Sequence, residues 1–151
     1  MARDWSKQIR FEDVEIGQEI PEVVLPLTLQ RLVMEAATNR DFVPIHFDRA
    51  AAQFGGAPDA FANTLLIQML IEVSLRYWMG LAGKLKRLGF KMFTVTHEGM
   101  IVHCKGKVTD KRQEEGQGLV ELDVWYEAER DGEMVTTVKG TATVALPLAS
   151  A

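Results

Sequence analysis

Asp41 and His46 stand five positions apart with Pro44 between them, and these are the residues best suited by type and spacing to acid–base chemistry. A carboxylate beside an imidazole can hold one water and act as general base and then general acid near neutral pH. Addition of water across a polarised double bond asks for such a pair. One group takes a proton from the water, and one delivers a proton to the carbon next to the activating carbonyl. Pro44 lacks an N–H and biases Val43 toward extended backbone, so the loop is stiff just before His46. The same residues also suit a polar loop in which Asp41 caps a turn and His46 lies at the surface. Spacing alone leaves both readings open.

The elements around this loop decide what it can face. Phe11 to Gln18 reads as an opening turn, with Gly17 free to take a positive φ. Val23, Val24, Leu25 and Leu27 suggest a short strand that, by Pro21 and Pro26, lies at an edge or is broken. Thr28 caps a predicted helix from about Leu29 to Thr38, and Asn39 and Arg40 end it. Asp48 caps a second, short helix through Gln53, and Gly55-Gly56-Ala57-Pro58-Asp59 breaks the chain again.

The segment from Ala60 to Met79 is the predicted main helix. Thr64, Gln68, Glu72 and Arg76 recur every fourth residue as one polar stripe, with Glu72 and Arg76 in the favourable order for an ion pair. Nearly everything else is apolar, so the helix must be wrapped on most sides. Polar breaks interrupt any run of about 18 residues, which excludes a membrane span.

From Lys84 onward the pattern is that of strands: Leu88 to His97, Ile101 to Lys111, Leu119 to Arg130 and Met134 to Leu146. Asp110 to Gly118 reads as a polar turn, and Asp131-Gly132 as a tight hairpin. Val102, Cys104 and Val108 alternate with His103, Lys105 and Lys107, so one face is wet and the strands are antiparallel. An edge strand, short helices, one apolar helix and a long meander predict an α+β domain spanning residues 1–151. Its curved antiparallel sheet wraps around a long central helix, which is the hotdog fold. Apolar surface left open on that helix or at a sheet edge would favour pairing with a second such domain.

Bulk properties narrow the function. A net charge of −4 without a basic block argues against nucleic acid. The one cysteine, Cys104, excludes an intrachain disulfide, and no zinc-like spacing occurs. No apolar run follows Met1, so the expectation is a cytoplasmic protein. The first turn of the main helix, around Ala62, Asn63, Thr64 and Leu65, offers backbone N–H donors and a positive dipole end for a developing oxyanion. His103 falls on the wet face, and His97 falls at a strand end near Gly99. Arg40, Lys84, Lys86 and Arg87 read as surface charge before phosphate ligands.

Asp41-Phe42-Val43-Pro44-Ile45-His46, followed by Phe47-Asp48, resembles the Asp-x-Asn-Pro-Ile/Val-His motif of the MaoC-like hotdog hydratases. Phe11-Glu12-Asp13-Val14 with Gly17 is similar to that family's opening segment, and Phe61-Ala62-Asn63 to its Ile-Ala-His stretch. Four positions depart from the pattern. Val43 replaces the motif's asparagine, Arg40 the preceding glycine, Thr64 the helix-start glycine, and Gly99-Met100 a Gly-Asp. Thr38 to Phe42, Ile45 to Arg49, Phe61 to Leu65 and Arg76-Tyr77-Trp78 look more like one branch. That branch contains the small subunits of heteromeric steroid side-chain enoyl-CoA hydratases.

The resemblance implies (R)-specific hydration of a trans-2-enoyl-CoA with a bulky, steroid-like acyl group. Asp41 and His46 would activate the water, and Ala62, Asn63 and Thr64 would bind the thioester. It implies no metal and no cofactor beyond the CoA that belongs to the substrate. The partner would be a second MaoC-like chain, in a homodimer or a heteromer. A hotdog thioesterase and a non-catalytic partner subunit are the alternatives.

Overall fold

The inward-facing half of each late strand sets the architecture. In the computed structural model, which describes residues 7–130 and 132–149, five antiparallel strands form one sheet. They are β1 (Val23–Pro26), β2 (Lys84–Met92), β3 (Ile101–Glu114), β4 (Gln117–Arg130) and β5 (Glu133–Leu146). Their order is β1-β3-β4-β5-β2, so β3, β4 and β5 form the meander while β2 crosses over to the far edge. β1 is intact and occupies the other edge, the first of the two outcomes that Pro21 and Pro26 allow. Register shifts between Leu85 and Arg87, between Val108 and Asp110, and between Tyr126 and Glu127 add local twist as the sheet curls.

Three helices accompany the sheet: α1 (Leu29–Asn39), α2 (Arg49–Phe54) and α3 (Thr64–Met79). Thr28 caps α1 by accepting from the Arg31 N–H, and Asp48 caps α2 by accepting from the Ala50 and Ala51 N–H groups. α3 lies in the concave face of the sheet. Its Leu66, Ile67, Leu70, Ile71, Leu75 and Trp78 are buried against Val102, Cys104, Leu122, Val124, Tyr126 and Val138. The Tyr126 hydroxyl donates to the Ile67 carbonyl at 2.5 Å, tying β4 to α3.

Several expectations need correction. α3 begins at Thr64, four residues later than its apolar pattern suggests, with Asn63 as its N-cap. Residues 60–62 are held straight by 96–98. The Ala62 N–H donates to the Thr96 carbonyl, the Glu98 N–H donates to the Ala60 carbonyl, and Phe61 bridges His97. β2 accordingly spans Lys84–Met92 and stops short of His97. The turn expected over Asp110 to Gly118 is only Glu115 and Gly116, at φ 50° and 73°. Its flanks continue the β3–β4 ladder, because their polar side chains suit the wet face.

The Glu72–Arg76 pair does not form. The Arg76 guanidinium donates to the Gly80 and Gly83 carbonyls, and Glu72 accepts from the Gln68 amide. Nor is α3 wrapped on most sides, since Leu65 is 46% and Met69 47% exposed. Gly132 takes φ 82° between the paired Arg130 and Glu133, while Asp131, the other half of the predicted turn, lies outside the described residues. Among the described residues, no helix is long and apolar enough to cross a membrane.

Arg40 sits where the resembling family has glycine, and its backbone is left-handed at φ 56°, ψ 31°. A side chain there crowds the following carbonyl and costs about 1–2 kcal/mol. That turn ends α1 and folds Asp41 back, its N–H donating to the Ala36 carbonyl at 2.9 Å. Arg40→Gly is therefore expected to raise the stability by about 1 kcal/mol in denaturant titration. An unchanged or lower midpoint would show that the Arg40 side chain repays its backbone strain elsewhere.

Candidate active site

Three separate pieces of chain bring the site together. Asp41 follows the left-handed end of α1. His46 ends a short 3-10 turn, Pro44–His46, which Pro44 starts at its preferred first position. Asn63 caps α3. The His46 Nε2 lies 3.6 Å from the Asp41 Oδ2. The His46 Nδ1 lies 2.9 Å from the Phe61 carbonyl oxygen, and the two rings meet edge to face at 5.2 Å.

That carbonyl can only accept, so Nδ1 carries the hydrogen. Neutral His46 therefore turns the lone pair of Nε2 toward Asp41. Two acceptors face one another at a distance that suits either a shared water or, when His46 is protonated, an ion pair. The sequence expectation that Asp41 and His46 meet holds in the fold.

Asn63 is 4% exposed and joins two parts of the site. Its Oδ1 accepts from the Leu66 N–H at 2.9 Å, capping α3. Its Nδ2 donates to the Asp41 Oδ2 at 2.8 Å. Val43, which replaces the motif asparagine, is exposed, and its own N–H reaches the Asp41 Oδ1 at 3.4 Å. The carboxylate is thus oriented by Asn63 and by backbone.

A cavity of about 400 Å³ opens onto these groups. Asp41, His46, Asn63 and Thr64 form its polar end, and Phe61, Leu65, Ile67, Met92 and Val95 supply apolar wall. Ala62 lines it too, but its N–H is already committed to the Thr96 carbonyl. The remaining candidate oxyanion donors are the N–H groups of Thr64 and Leu65, the first two residues of α3, which have no acceptor within the helix.

Sequence reasoning passed over Glu35. This α1 carboxyl is half-buried, accepts from the Asn39 side-chain amide, and has its pKa raised chiefly by burial. The neighbouring His46 and the Asn63 amide pull that pKa back down, and the Asp41 charge raises it further. A carboxylate six residues before Asp41 on an amphipathic helix carries no distinguishing sequence signal.

The other histidines stay apart. His97 donates its Nδ1 hydrogen to the Glu98 carbonyl at 2.7 Å, and His103 meets Glu22 at 2.8 Å on the outer face. A larger open hollow of about 870 Å³ runs over the outer face of the sheet, but its lining contains no histidine. Among the described residues, no group of three or more His, Cys, Asp or Glu side chains is placed to hold a metal.

No protein-family model matches the chain. In sequence it is 29% identical, over 94 residues, to the 3-oxo-4,17-pregnadiene-20-carboxyl-CoA hydratase beta subunit of Mycobacterium tuberculosis, covering 62% of this chain and 73% of the relative. Its fold matches a chain of the ChsH1-ChsH2 complex from Mycobacterium tuberculosis at a TM-score of 0.77, with 24% identity, covering 87% of this chain and 98% of the other. It matches the R-hydratase PhaJ1 from Pseudomonas aeruginosa at 0.79, with 21% identity, covering 93% and 87%. MaoC-like dehydratases have the same fold. The chain carries the MaoC-like hotdog fold, and its resemblance in sequence is to a subunit of a CoA-thioester hydratase.

Proposed function

We propose that the chain is a hydro-lyase subunit that adds water to a trans-2-enoyl-CoA carrying a bulky, steroid-like acyl group. The observation that carries the reading is the facing of Asp41 Oδ2 and His46 Nε2 across 3.6 Å at the polar end of an otherwise largely apolar cavity. One water donates a hydrogen to each. His46 removes a proton as the water oxygen bonds the β-carbon, and the double-bond electrons move onto the thioester oxygen. The N–H groups of Thr64 and Leu65, at the positive end of α3, stabilise that oxyanion. The proton held by His46 then passes to the α-carbon, so one water is added and the protein is regenerated. Asp41 orients the water and stabilises the imidazolium. No electron transfer or external acid is needed, and CoA is present only as part of the substrate.

The acyl group is inferred from the resemblance to the M. tuberculosis beta subunit. A partner chain is supported by exposed apolar residues. Met92 and Leu65, which line the cavity, are 50% and 46% exposed, while Phe42, next to Asp41, and Phe93, next to Met92, are 69% and 63% exposed. A second MaoC-like chain would cover them and lengthen the acyl pocket.

The test is to supply enoyl-CoA to the chain alone and to the chain mixed with a second MaoC-like subunit. Loss of the conjugated absorbance without thiol release is the expected result. Release of free CoA thiol would make the protein a thioesterase. Neither signal in either mixture would leave it a non-catalytic subunit.

A further inference from the structure

The outer face of the sheet carries positive charge that no protein group answers. The hollow of about 870 Å³ spreads over β2, β5, β4 and β3 on the side away from α3. Arg87, Lys91, Lys107 and Lys139 line it, against two carboxylates, Asp123 and Glu127. Glu127 is already engaged, because it accepts from the Lys105 ammonium at 2.5 Å and from the Trp125 indole N–H at 3.1 Å. Among the described residues, the ammonium groups of Lys91, Lys107 and Lys139 have no hydrogen-bond or ion-pair partner. Lys91 and Lys139 stand directly opposite one another across β2 and β5. Like charges so placed repel and weaken the pairing.

The floor of the hollow is also left open. Gly89 shares the outer face with Lys91, yet a side chain there would meet nothing within 4 Å, and its φ is not left-handed. Neither packing nor backbone geometry asks for glycine at this position. A glycine inside a strand weakens it and marks a place where a ligand comes close.

This hollow and the acid–histidine cavity open on two sides of one stretch of chain. Lys91 and Phe93 line the hollow, while Met92 and Thr94 line the cavity. Successive Cα atoms are about 3.8 Å apart, so the end of β2 is all that separates them there.

Building on the reading of the substrate as a CoA thioester, we propose that the hollow binds the phosphoadenosine end of that CoA. The acyl group and thioester occupy the cavity, and the pantetheine arm crosses the end of β2 at Met92 and Phe93. The phosphates answer the Lys91–Lys139 pair, with Arg87 and Lys107 beside them, as charge-assisted contacts. Trp125, held by its bond to Glu127, and Phe93 offer aromatic surface on which the adenine stacks. CoA brings clustered phosphates and a flat purine together, and the hollow offers the complement of both.

The test is calorimetric titration of CoA into the chain. Wild type should bind CoA, and the double variant Lys91→Ala/Lys139→Ala should bind it about tenfold or more weakly, having lost two charge-assisted contacts. Gly89→Leu should weaken binding by filling the floor, and dephospho-CoA, which lacks the 3′-phosphate, should bind wild type less tightly than CoA. Removing the lysine pair relieves repulsion, so the double variant should melt no lower than wild type. In hydration, its KM for enoyl-CoA should rise about tenfold while kcat holds, the signature of lost uniform binding. The advantage of enoyl-CoA over the matching N-acetylcysteamine thioester, which has no nucleotide, should shrink by the same factor.

CoA that binds neither protein, or both equally, with hydration running at one KM, would overturn the hollow's role and leave the hydratase reading standing. Lysine-dependent assembly with a second MaoC-like chain at an unaltered CoA affinity would overturn it too, and would give the hollow to a protein partner. Lysine-dependent CoA binding without hydration in any mixture would uphold the hollow and remove the hydratase reading.

Discussion

Asp41→Asn and His46→Ala are each expected to slow enoyl-CoA hydration by about 10²- to 10⁴-fold, the range a positioned acid or base contributes. Asp41→Asn is nearly isosteric, so the chain should stay folded while the site loses one of its two water-holding acceptors. His46→Ala removes the lone pair that takes the proton and leaves the Phe61 carbonyl without its partner. The two residues act on one water, so the double variant should be little slower than the worse single one. Circular dichroism separates loss of chemistry from loss of fold. Folded single variants that turn over at the wild-type rate would show that the cavity's chemistry lies elsewhere.

Leu75→Ala is expected to destabilise the chain by about 2–5 kcal/mol, the range for a large-to-small change in a closed core. Leu75 is fully buried on the face of α3 that meets the sheet. Leu65 lies on the opposite face and is 46% exposed. Leu65→Ala should cost the isolated chain no more than about 0.5 kcal/mol. If a second chain covers that face, the same change should instead weaken the assembly. Urea titration of the isolated chain reads the first contrast, and sedimentation of the mixture with a partner reads the second. Equal losses from the two substitutions in the isolated chain would contradict the placement of α3.

The sequence was most informative where structure is local. Thr28 and Asp48 cap helices by bonds to N–H groups two or three residues on, and both were legible from residue type and position. The alternating strands were legible for the same reason. Long-range contacts hid the rest. Ala60, Phe61 and Ala62 suit a helix by composition, yet pairing with residues 96–98 keeps them extended. The polar run from Asp110 reads as a loop because nothing local says that its outer face is wet. The crossover of β2 to the β5 edge is a matter of topology alone.

The site divides along the same line. Asp41 and His46 stand out by type, spacing and the proline between them. The role of Asn63 was half legible, because its capping oxygen is a local feature and its amide bond to Asp41 spans 22 residues. Val43 and Arg40, which break the family pattern, become understandable only in three dimensions. Asn63 orients the carboxylate that a motif asparagine would lie beside, and Arg40 tolerates a backbone conformation that glycine takes freely.

Cys104, the chain's single cysteine, sits in the seam between β3 and α3 with its sulfur 3.9 Å from the Leu70 carbonyl oxygen. Burial pushes its thiol up to about 12. The folded protein should therefore be silent toward thiol reagents, so that with the chain alone free CoA would be the only fast-reacting thiol in the assay that separates a hydratase from a thioesterase. The same burial makes Cys104 a clock for the fold. Its slow labelling would record how often the sheet lifts from its helix, because only an opened molecule exposes and ionises the sulfur. Comparing that rate with and without a partner chain would measure how far assembly holds the seam shut, without an engineered cysteine.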